Sequence, residues 1–222
     1  MTDYAARRTH MVEGQIRPNK VTDPMLIEAL ARLPREDFVP EAFRGVAYVD
    51  EDLEIAPGRY IMEPVVLARL LQAAAAGADD VALDIGCGTG YSTALLGHLA
   101  GTAVGLECDG ELAKRAGDLL TELEIDNAVV VEGALTEGWP AQAPYDVILI
   151  GGAVAEVPGA IIDQLAEGGR LLAVVGGDRG IGGGMGKATV WRRIGGLVSG
   201  REIFDAAVPP LPGFEKAAGF VF

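Results

Sequence analysis

Apolar residues in the second half of the chain fall into short groups with two alternating spacings. Runs of four to six mostly apolar residues predict buried strands, and apolar residues three or four positions apart predict amphipathic helices. The predicted strands are 81–85, 103–107, 128–131, 145–150 and 170–175, and the predicted helices are 91–99, 111–123 and 160–165. This alternation predicts right-handed βαβ units and a mostly parallel sheet with helices on both faces, the doubly wound, Rossmann-like α/β fold.

The end of the chain departs from this alternation. Two strand-like runs, 188–194 and 197–204, are joined by Gly195-Gly196, which is the composition of a tight hairpin. We therefore expect a C-terminal antiparallel hairpin at the edge of the parallel sheet. The glycine-rich stretch 176–186 before it predicts a mobile loop.

The first sixty residues follow a different pattern. Thr22-Asp23-Pro24 predicts the start of a helix that Pro34 ends, and a second short segment covers 35–43. The mixed polar stretch 47–60 predicts an irregular, solvated arm, and Pro64 begins a helix over 65–76 that ends at Gly77. We therefore divide the chain into an N-terminal helical extension and arm, residues 1–63, and a Rossmann-like domain, residues 64–222.

Composition narrows the classes of function. The 222 residues include 18 Lys and Arg against 32 Asp and Glu, which gives a net charge of −14 and disfavours a nucleic-acid partner. Two cysteines and two histidines predict neither a disulfide framework nor a metal site, and we expect both thiols to be reduced and buried. The absence of a membrane-length apolar run or a secretory leader predicts a cytoplasmic protein with no membrane partner.

A glycine-rich turn follows the first predicted strand of the alternating part. Its spacing is Gly86-x-Gly88-x-Gly90, whereas the dinucleotide fingerprint would need a glycine at Tyr91. Glu107 ends the next strand, where a carboxylate can accept hydrogen bonds from both hydroxyls of a ribose. The pair predicts a nucleotide-like ligand; the alternative is a plain tight turn followed by a solvated strand end.

The segment from Asp84 to Tyr91 resembles motif I of class I S-adenosylmethionine-dependent methyltransferases, and Glu107 resembles their ribose-binding acid. The chain is more closely similar to the protein-L-isoaspartate O-methyltransferase family, over nearly its whole length. The most family-specific string is P-R-E-x-F-V-P at 34–40, with further similar strings at 15–17, 47–48, 132–133, 144–148 and 168–171.

The resemblance implies S-adenosyl-L-methionine as the cofactor and a set of residues around it. The implied cofactor-binding residues are Asp84, Gly86, Cys87, Gly88, Thr89, Gly90, Tyr91, Glu107, Cys108, Gly133, Ala134 and Gly151.

The chain departs from the family pattern in two places. The T-I-S-x-P signature, whose serine the family links to catalysis, reads Tyr60-Ile61-Met62-Glu63-Pro64, so Met62 replaces a hydroxyl. The family's G-D pair, whose acid is placed near the adenine, reads Gly133-Ala134. No catalytic residue is assigned; the substrate-side candidates are Arg59, Tyr60 and Met62, and Arg59 has the alternative of an ordinary exposed loop arginine.

Methyl transfer from a sulfonium needs alignment and exclusion of water more than acid–base chemistry, which suits a chain with two histidines. The resemblance implies a carboxylate acceptor on isoaspartyl residues of a damaged protein or peptide. Two alternatives stay open: a methyltransferase with another, unidentified small acceptor, and a non-catalytic protein that binds S-adenosylmethionine. The sequence carries no signal for an oligomeric state.

Overall fold

The structure, a computed structural model, describes residues 3–176 and 184–215. Most of the predicted loop 176–186 lies outside the described residues. The strands are β1 (Leu53–Ala56), β2 (Arg59–Ile61), β3 (Val81–Ile85), β4 (Thr102–Glu107), β5 (Ala128–Glu132), β6 (Tyr145–Val154), β7 (Leu165–Val175), β8 (Gly186–Ile194) and β9 (Leu197–Ala206). The α-helices are α1 (Tyr4–Met11), α2 (Pro24–Arg32), α3 (Pro64–Ala74), α4 (Tyr91–Leu99), α5 (Gly110–Glu122) and α6 (Gly159–Ile162).

The main sheet has the strand order β5-β4-β3-β6-β7-β8-β9. The strands from β5 to β7 pair in parallel, and β8 is antiparallel to both of its neighbours. The predicted Rossmann-like sheet with a C-terminal antiparallel hairpin is confirmed. Because β4 and β6 lie on opposite sides of β3, the order reverses at β3, and a crevice for a ligand is expected beyond the carboxyl ends of these strands.

The core lies on both faces of the sheet. Leu83 and Ile148 belong to one buried cluster, whereas Ala82 and Val147, one position earlier on the same strands, belong to the other. Successive strand residues point to opposite faces, so the two clusters cover the two sides. The second cluster also contains Leu30 of α2, which joins the N-terminal helices to the sheet. None of the described helices is long and apolar enough to cross a membrane.

Local sequence explains where the helices begin. The Asp23 carboxylate accepts a hydrogen bond from the Leu26 backbone N–H at 3.0 Å, and Pro24 occupies the first turn of α2. The Asp109 carboxylate similarly accepts from the N–H groups of Glu111 and Leu112 at the start of α5. Helix α3 ends in a left-handed residue, Ala75, two residues before the predicted stop at Gly77.

The prediction of an irregular, solvated arm over 47–60 is wrong. Strands β1 and β2 form an antiparallel hairpin, and the side chain of Tyr48 is buried before it. Two of the four acidic residues that suggested solvation bond to backbone groups at the start of helix α3. Asp50 accepts from the Val65 N–H at 3.0 Å, and Asp52 accepts from the Glu63 N–H at 2.9 Å. Their charges thus satisfy backbone donors at the start of a helix.

The predicted helix 160–165 is also too long. Helix α6 is a single turn, and Leu165 already pairs with Tyr145 as the first residue of β7. The Tyr145 N–H donates to the Gln164 carbonyl at 2.8 Å, which brings the chain into the sheet at this point. A short apolar group fits a helix end or a strand start equally well, so spacing alone misplaces this boundary.

Candidate active site

The glycine-rich turn lies between β3 and α4, at the position where the strand order reverses. Gly86 and Gly88 have φ angles of +78° and +57°, a region that side chains with a Cβ atom adopt at a cost. The N–H groups of Gly86 and Cys87 both donate to the Leu106 carbonyl, at 2.8 and 3.2 Å. These bonds hold the turn against the end of β4 and close to Glu107.

Asp84 lies one residue before the end of β3 and is completely buried. One carboxylate oxygen, Oδ2, accepts hydrogen bonds from the hydroxyls of Ser92 and Thr93, each at 2.6 Å. The other oxygen, Oδ1, has no hydrogen-bond partner among the described residues. Burial raises the pKa of Asp84 to about 6. An orphaned buried carboxylate oxygen of this kind suits a cationic ligand group.

Glu107, at the end of β4, is 0% exposed and four strong donors surround its carboxylate. Oε1 accepts from the backbone N–H groups of Cys108 at 2.9 Å and Asp109 at 3.2 Å, and the Cys108 thiol lies 3.4 Å from it. Oε2 accepts from the Gly88 N–H at 2.7 Å and from Arg59 Nη2 at 2.5 Å. The alternative to a ligand site, a plain tight turn followed by a solvated strand end, required an exposed Glu107. Its burial contradicts that alternative.

Arg59, on β2, pairs with Glu107 and is only 5% exposed. The alternative of an exposed loop arginine is wrong, because the hairpin turns the side chain inward over the turn after β3. The pairing uses one nitrogen, and Arg59 Nε is buried without a hydrogen-bond partner among the described residues. It therefore lacks the two parallel bonds of a bidentate arginine–carboxylate pair.

Two neighbouring cavities meet at three residues, Tyr60, Met62 and Gly151. The first cavity extends over the glycine-rich turn and is lined there by Gly86, Cys87, Thr89, Tyr91 and Ser92. The second cavity, which we call the Arg59 cavity, is also lined by Asp52, Gly58, Arg59 and residues 208–211. Of the three substrate-side candidates, Tyr60 and Met62 therefore lie at the junction of the two cavities. Arg59 lines only the Arg59 cavity.

Two apolar side chains that sequence reasoning missed lie on the turn. A Cβ atom on Gly86 would meet Leu211 Cδ1 at 2.5 Å, and a Cβ atom on Gly88 would meet Ile55 Cδ1 at 2.6 Å. Ile55 belongs to the hairpin strand β1. Leu211 is held by β6, because its N–H donates to the Ala153 carbonyl at 2.9 Å. No local motif marks either residue, since their role arises from the path of distant segments.

Ser92 and Thr93 were also missed, although a signal existed for them. They directly follow Tyr91 in the first turn of α4, the helix that begins after the glycine-rich turn. This position next to the turn is the signal that could have identified them. Thr89, which was predicted, has its hydroxyl directed to the Phe38 carbonyl at 2.6 Å. It therefore ties the turn to the N-terminal extension.

The remaining candidates lie at the edge of this region. The Gly133 N–H donates to the Glu107 carbonyl at 3.0 Å, and the ring of Trp139 lies against Gly133. Ala134 is exposed beside it. The two thiols are free, but Cys108 is exposed, so the expectation that both are buried is wrong for it. The described residues contain no group of three or more His, Cys, Asp or Glu side chains that could hold a metal.

Comparison with known proteins is consistent across sequence and structure. The family profile described as protein-L-isoaspartate(D-aspartate) O-methyltransferase matches residues 6–182. Protein-L-isoaspartate O-methyltransferase 1 of Rhodopseudomonas palustris strain HaA2 is 39% identical over 178 residues, 80% of this chain and 73% of that protein. The protein-L-isoaspartate O-methyltransferase of Koribacter versatilis strain Ellin345 is 41% identical over 176 residues, 79% of each chain.

Solved structures show the same fold. A protein-L-isoaspartate O-methyltransferase superimposes with a TM-score of 0.78 at 23% identity, over 93% of this chain and 66% of that chain. A Plasmodium falciparum structure, described as a beta-aspartate methyltransferase in complex with S-adenosyl-L-homocysteine, gives 0.75 at 19% identity over 95% and 99%. Fold, site and relatives together define an S-adenosylmethionine-dependent methyltransferase with a Rossmann-like sheet. The chain belongs to the protein-L-isoaspartate(D-aspartate) O-methyltransferase family, as its motifs indicated.

Proposed function

We propose that this protein methylates the free α-carboxylate of isoaspartyl residues in damaged proteins or peptides. The observation that carries the proposal is the meeting of two cavities at Tyr60, Met62 and Gly151. One of them extends over the glycine-rich turn, and the other holds a buried guanidinium, a group suited to an anionic acceptor. Relatives about 40% identical that are named for this reaction support the same acceptor.

The turn region fits the cofactor at its amino-acid end. The orphaned Oδ1 of Asp84 can receive the ammonium group, and the open backbone at Gly86 and Gly88 allows a ligand to lie close. We propose that the cofactor is held by the residues predicted from the sequence: Asp84, Gly86, Cys87, Gly88, Thr89, Gly90, Tyr91, Glu107, Cys108, Gly133, Ala134 and Gly151. When bound, S-adenosyl-L-methionine supplies a methyl group on a positively charged sulfur.

The chain's own residues have two tasks in this proposal: to orient the acceptor and to exclude water. A carboxylate is already ionised at neutral pH, with a reference pKa of about 4, so no general base is needed. Tyr60 and Met62 lie where the two cavities join and limit the approach of the acceptor. Met62 is buried and apolar, so it keeps water away from this junction but lacks the hydroxyl that the family signature contains.

Labelled-methyl transfer tests the proposal. We expect base-labile methyl ester to form on a peptide with one isoaspartyl residue and not on the same peptide with L-aspartate at that position. The Gly86→Val variant serves as the control for a contaminating enzyme, because its side chain collides with Leu211 where the cofactor would lie. Cofactor binding without transfer to the isoaspartyl peptide would reject this acceptor in favour of a different, small one, or of a non-catalytic role.

We also propose that residues 1–63 serve as an extension that covers the cofactor side of the domain formed by 64–222. The Thr89 bond to the Phe38 carbonyl and a bond from Arg115 to the Asp37 carbonyl support this arrangement. A cytoplasmic location completes the proposal, supported by two cysteines that are not paired with each other. Fractionation of cells that express the native chain, followed by immunodetection, tests the location.

A further inference from the structure

The carboxylate of Glu107 has no acceptor position left for another donor. A carboxylate offers about four lone-pair directions, two on each oxygen. On Oε1, the N–H groups of Cys108 and Asp109 take both, and the Cys108 thiol adds a weak contact at 3.4 Å. On Oε2, the N–H of Gly88 and Nη2 of Arg59 take both. A ribose hydroxyl can therefore bond to Glu107 only after one of these four donors has left.

Arg59 is the donor that can leave. The other three are backbone amides, fixed by the glycine-rich turn and by the residues that follow β4. Arg59 reaches Glu107 from a separate hairpin through a single nitrogen, and its buried Nε gains no compensating bond. Ile55, on the other strand of the same hairpin, covers Gly88. Movement of one short hairpin would thus uncover both the ribose carboxylate and the glycine-rich turn.

Movement of the hairpin that frees Arg59 would also widen the small cavity beside it. The side chain of Arg59 already lines the Arg59 cavity, next to the junction formed by Tyr60, Met62 and Gly151. In its present position the guanidinium charge is used by Glu107 and is not available to an anionic acceptor. Once a ribose hydroxyl has replaced it on Glu107, the same charge can receive a carboxylate in the cavity.

We propose that Arg59 is an exchange residue that couples the two ligands: it blocks the ribose carboxylate until the cofactor binds, and then it binds the acceptor carboxylate. The step in which Arg59 binds the acceptor carboxylate rests on the proposed function. The step in which Arg59 blocks the ribose carboxylate rests on cofactor binding alone. It predicts an obligatory order in which the cofactor precedes the acceptor. It also predicts reciprocal coupling, in which each ligand tightens the binding of the other.

The first test uses S-adenosylhomocysteine alone and needs no acceptor. The Arg59→Met variant keeps an unbranched apolar stem and removes the competing donor, so we expect calorimetry to show S-adenosylhomocysteine binding at least fivefold tighter than in the wild type. Arg201→Met, on an exposed stretch of β9, is the matched control and should bind as the wild type does. Equal or weaker binding in a folded Arg59→Met variant would overturn the proposal.

The main measurement of the second test is made on the wild-type protein, so it holds even if the variant does not fold. We expect an isoaspartyl peptide to bind at least tenfold tighter in the presence of saturating S-adenosylhomocysteine, and this coupling to be absent in Arg59→Met. Peptide affinity that is independent of S-adenosylhomocysteine would overturn the exchange. A peptide that binds under neither condition would instead refute the isoaspartyl acceptor, and the calorimetric comparison would still test whether Arg59 blocks the ribose carboxylate.

Discussion

The guanidinium carbon of Arg35 lies 4.9 Å from the ring centroid of Tyr91, and both side chains are completely buried. Arg35 Nε donates to the Ala47 carbonyl at 2.7 Å, and Nη2 donates to the Met62 carbonyl at 2.8 Å. One arginine of the N-terminal extension thus holds the segment before the hairpin, the residue after it and the first residue of α4. The P-R-E-x-F-V-P string therefore contains a residue that supports the site in this structure.

We expect the Arg35→Lys variant to lose about 2–4 kcal/mol of unfolding free energy. A lysine cannot make two directed bonds from a planar fork and lie flat over a ring, and it leaves buried carbonyls without donors. Urea denaturation measures the loss. Arg32→Lys is the control in the same region: its pair with Glu28 is exposed at 3.6 Å, and a change within about 0.5 kcal/mol is expected. Equal losses in the two variants would contradict the central role of Arg35.

The stability of the ligand-free protein should fall as pH rises from about 4 to about 6. Burial raises the pKa of Asp84 from 3.8 to about 6, with Glu107 acting in the same direction and Arg59 against it. Within this window the folded protein retains a proton that the unfolded chain has released, so ionisation of Asp84 opposes folding. The contribution is on the order of 3 kcal/mol above the window. Denaturation at a series of pH values in wild type and Asp84→Asn isolates it, because the difference between the two curves should be flat outside the window.

Cofactor binding should show the opposite dependence on pH. An ammonium group beside Asp84 favours the ionised carboxylate, so the affinity for S-adenosylhomocysteine should decrease as pH falls below about 6. Binding at pH 5 should also release a proton, which calorimetry in two buffers of different ionisation enthalpy detects. In Asp84→Asn the affinity should be lower and nearly constant over the same pH range. If the affinity of that variant depends on pH as that of the wild type does, Asp84 does not bind the cofactor.

Gly88→Ala should lower stability by about 1–2 kcal/mol and weaken S-adenosylhomocysteine binding. The residue has a φ of +57°, and the added Cβ atom would meet Ile55 Cδ1 at 2.6 Å. Adding Ile55→Ala should relieve the collision but not the backbone strain. Gly117→Ala in α5 is the control, with no heavy atom within 4 Å of its new Cβ, and should be stabilised by up to about 1 kcal/mol with unchanged binding. Thermal melts and calorimetry measure both quantities.

Met62→Ser should raise kcat/KM for an isoaspartyl peptide while lowering the melting temperature. The substitution restores the hydroxyl of the family signature but removes a buried side chain, at a cost of about 2–4 kcal/mol. Met62→Ala carries the same packing loss without the hydroxyl and should gain no activity. If both variants lose activity equally, the barrier to water at this position matters more than the hydroxyl.

The sheet and the glycine-rich turn could be predicted because each is determined by local sequence. Alternating apolar runs define the strands, and Gly86 with Glu107 identifies the strand ends that meet. The hairpin over 53–61 could not be predicted in this way. Asp50 and Asp52, just before it, look solvated in sequence, but they bond to backbone N–H groups at the start of α3. Spacing along the chain does not reveal so distant a partner.

The pairing within the site was also beyond the sequence. Arg59 and Glu107 were both singled out, one for the acceptor and one for a ribose, yet their contact depends on how the hairpin folds across the turn. The contact of Ile55 with the turn could not be predicted for the same reason, because an isoleucine on a short strand looks like any other core residue in the sequence. Residues are thus found individually by their chemistry, whereas their combination follows from tertiary packing.

The segment 208–211 gives the Arg59 cavity one of its walls, and it lies beyond residue 182, where the match to the family ends. It is attached to β6 through backbone bonds at Ala153, so its position does not depend on which side chains it carries. Pro209 and Pro210 are not buried, so they can be exchanged at smaller cost to the packing on the sheet than Val208, which lies in its core. One short segment thus contacts both the Arg59 cavity and, through Leu211, the glycine-rich turn, so a change in its path would alter both surfaces together.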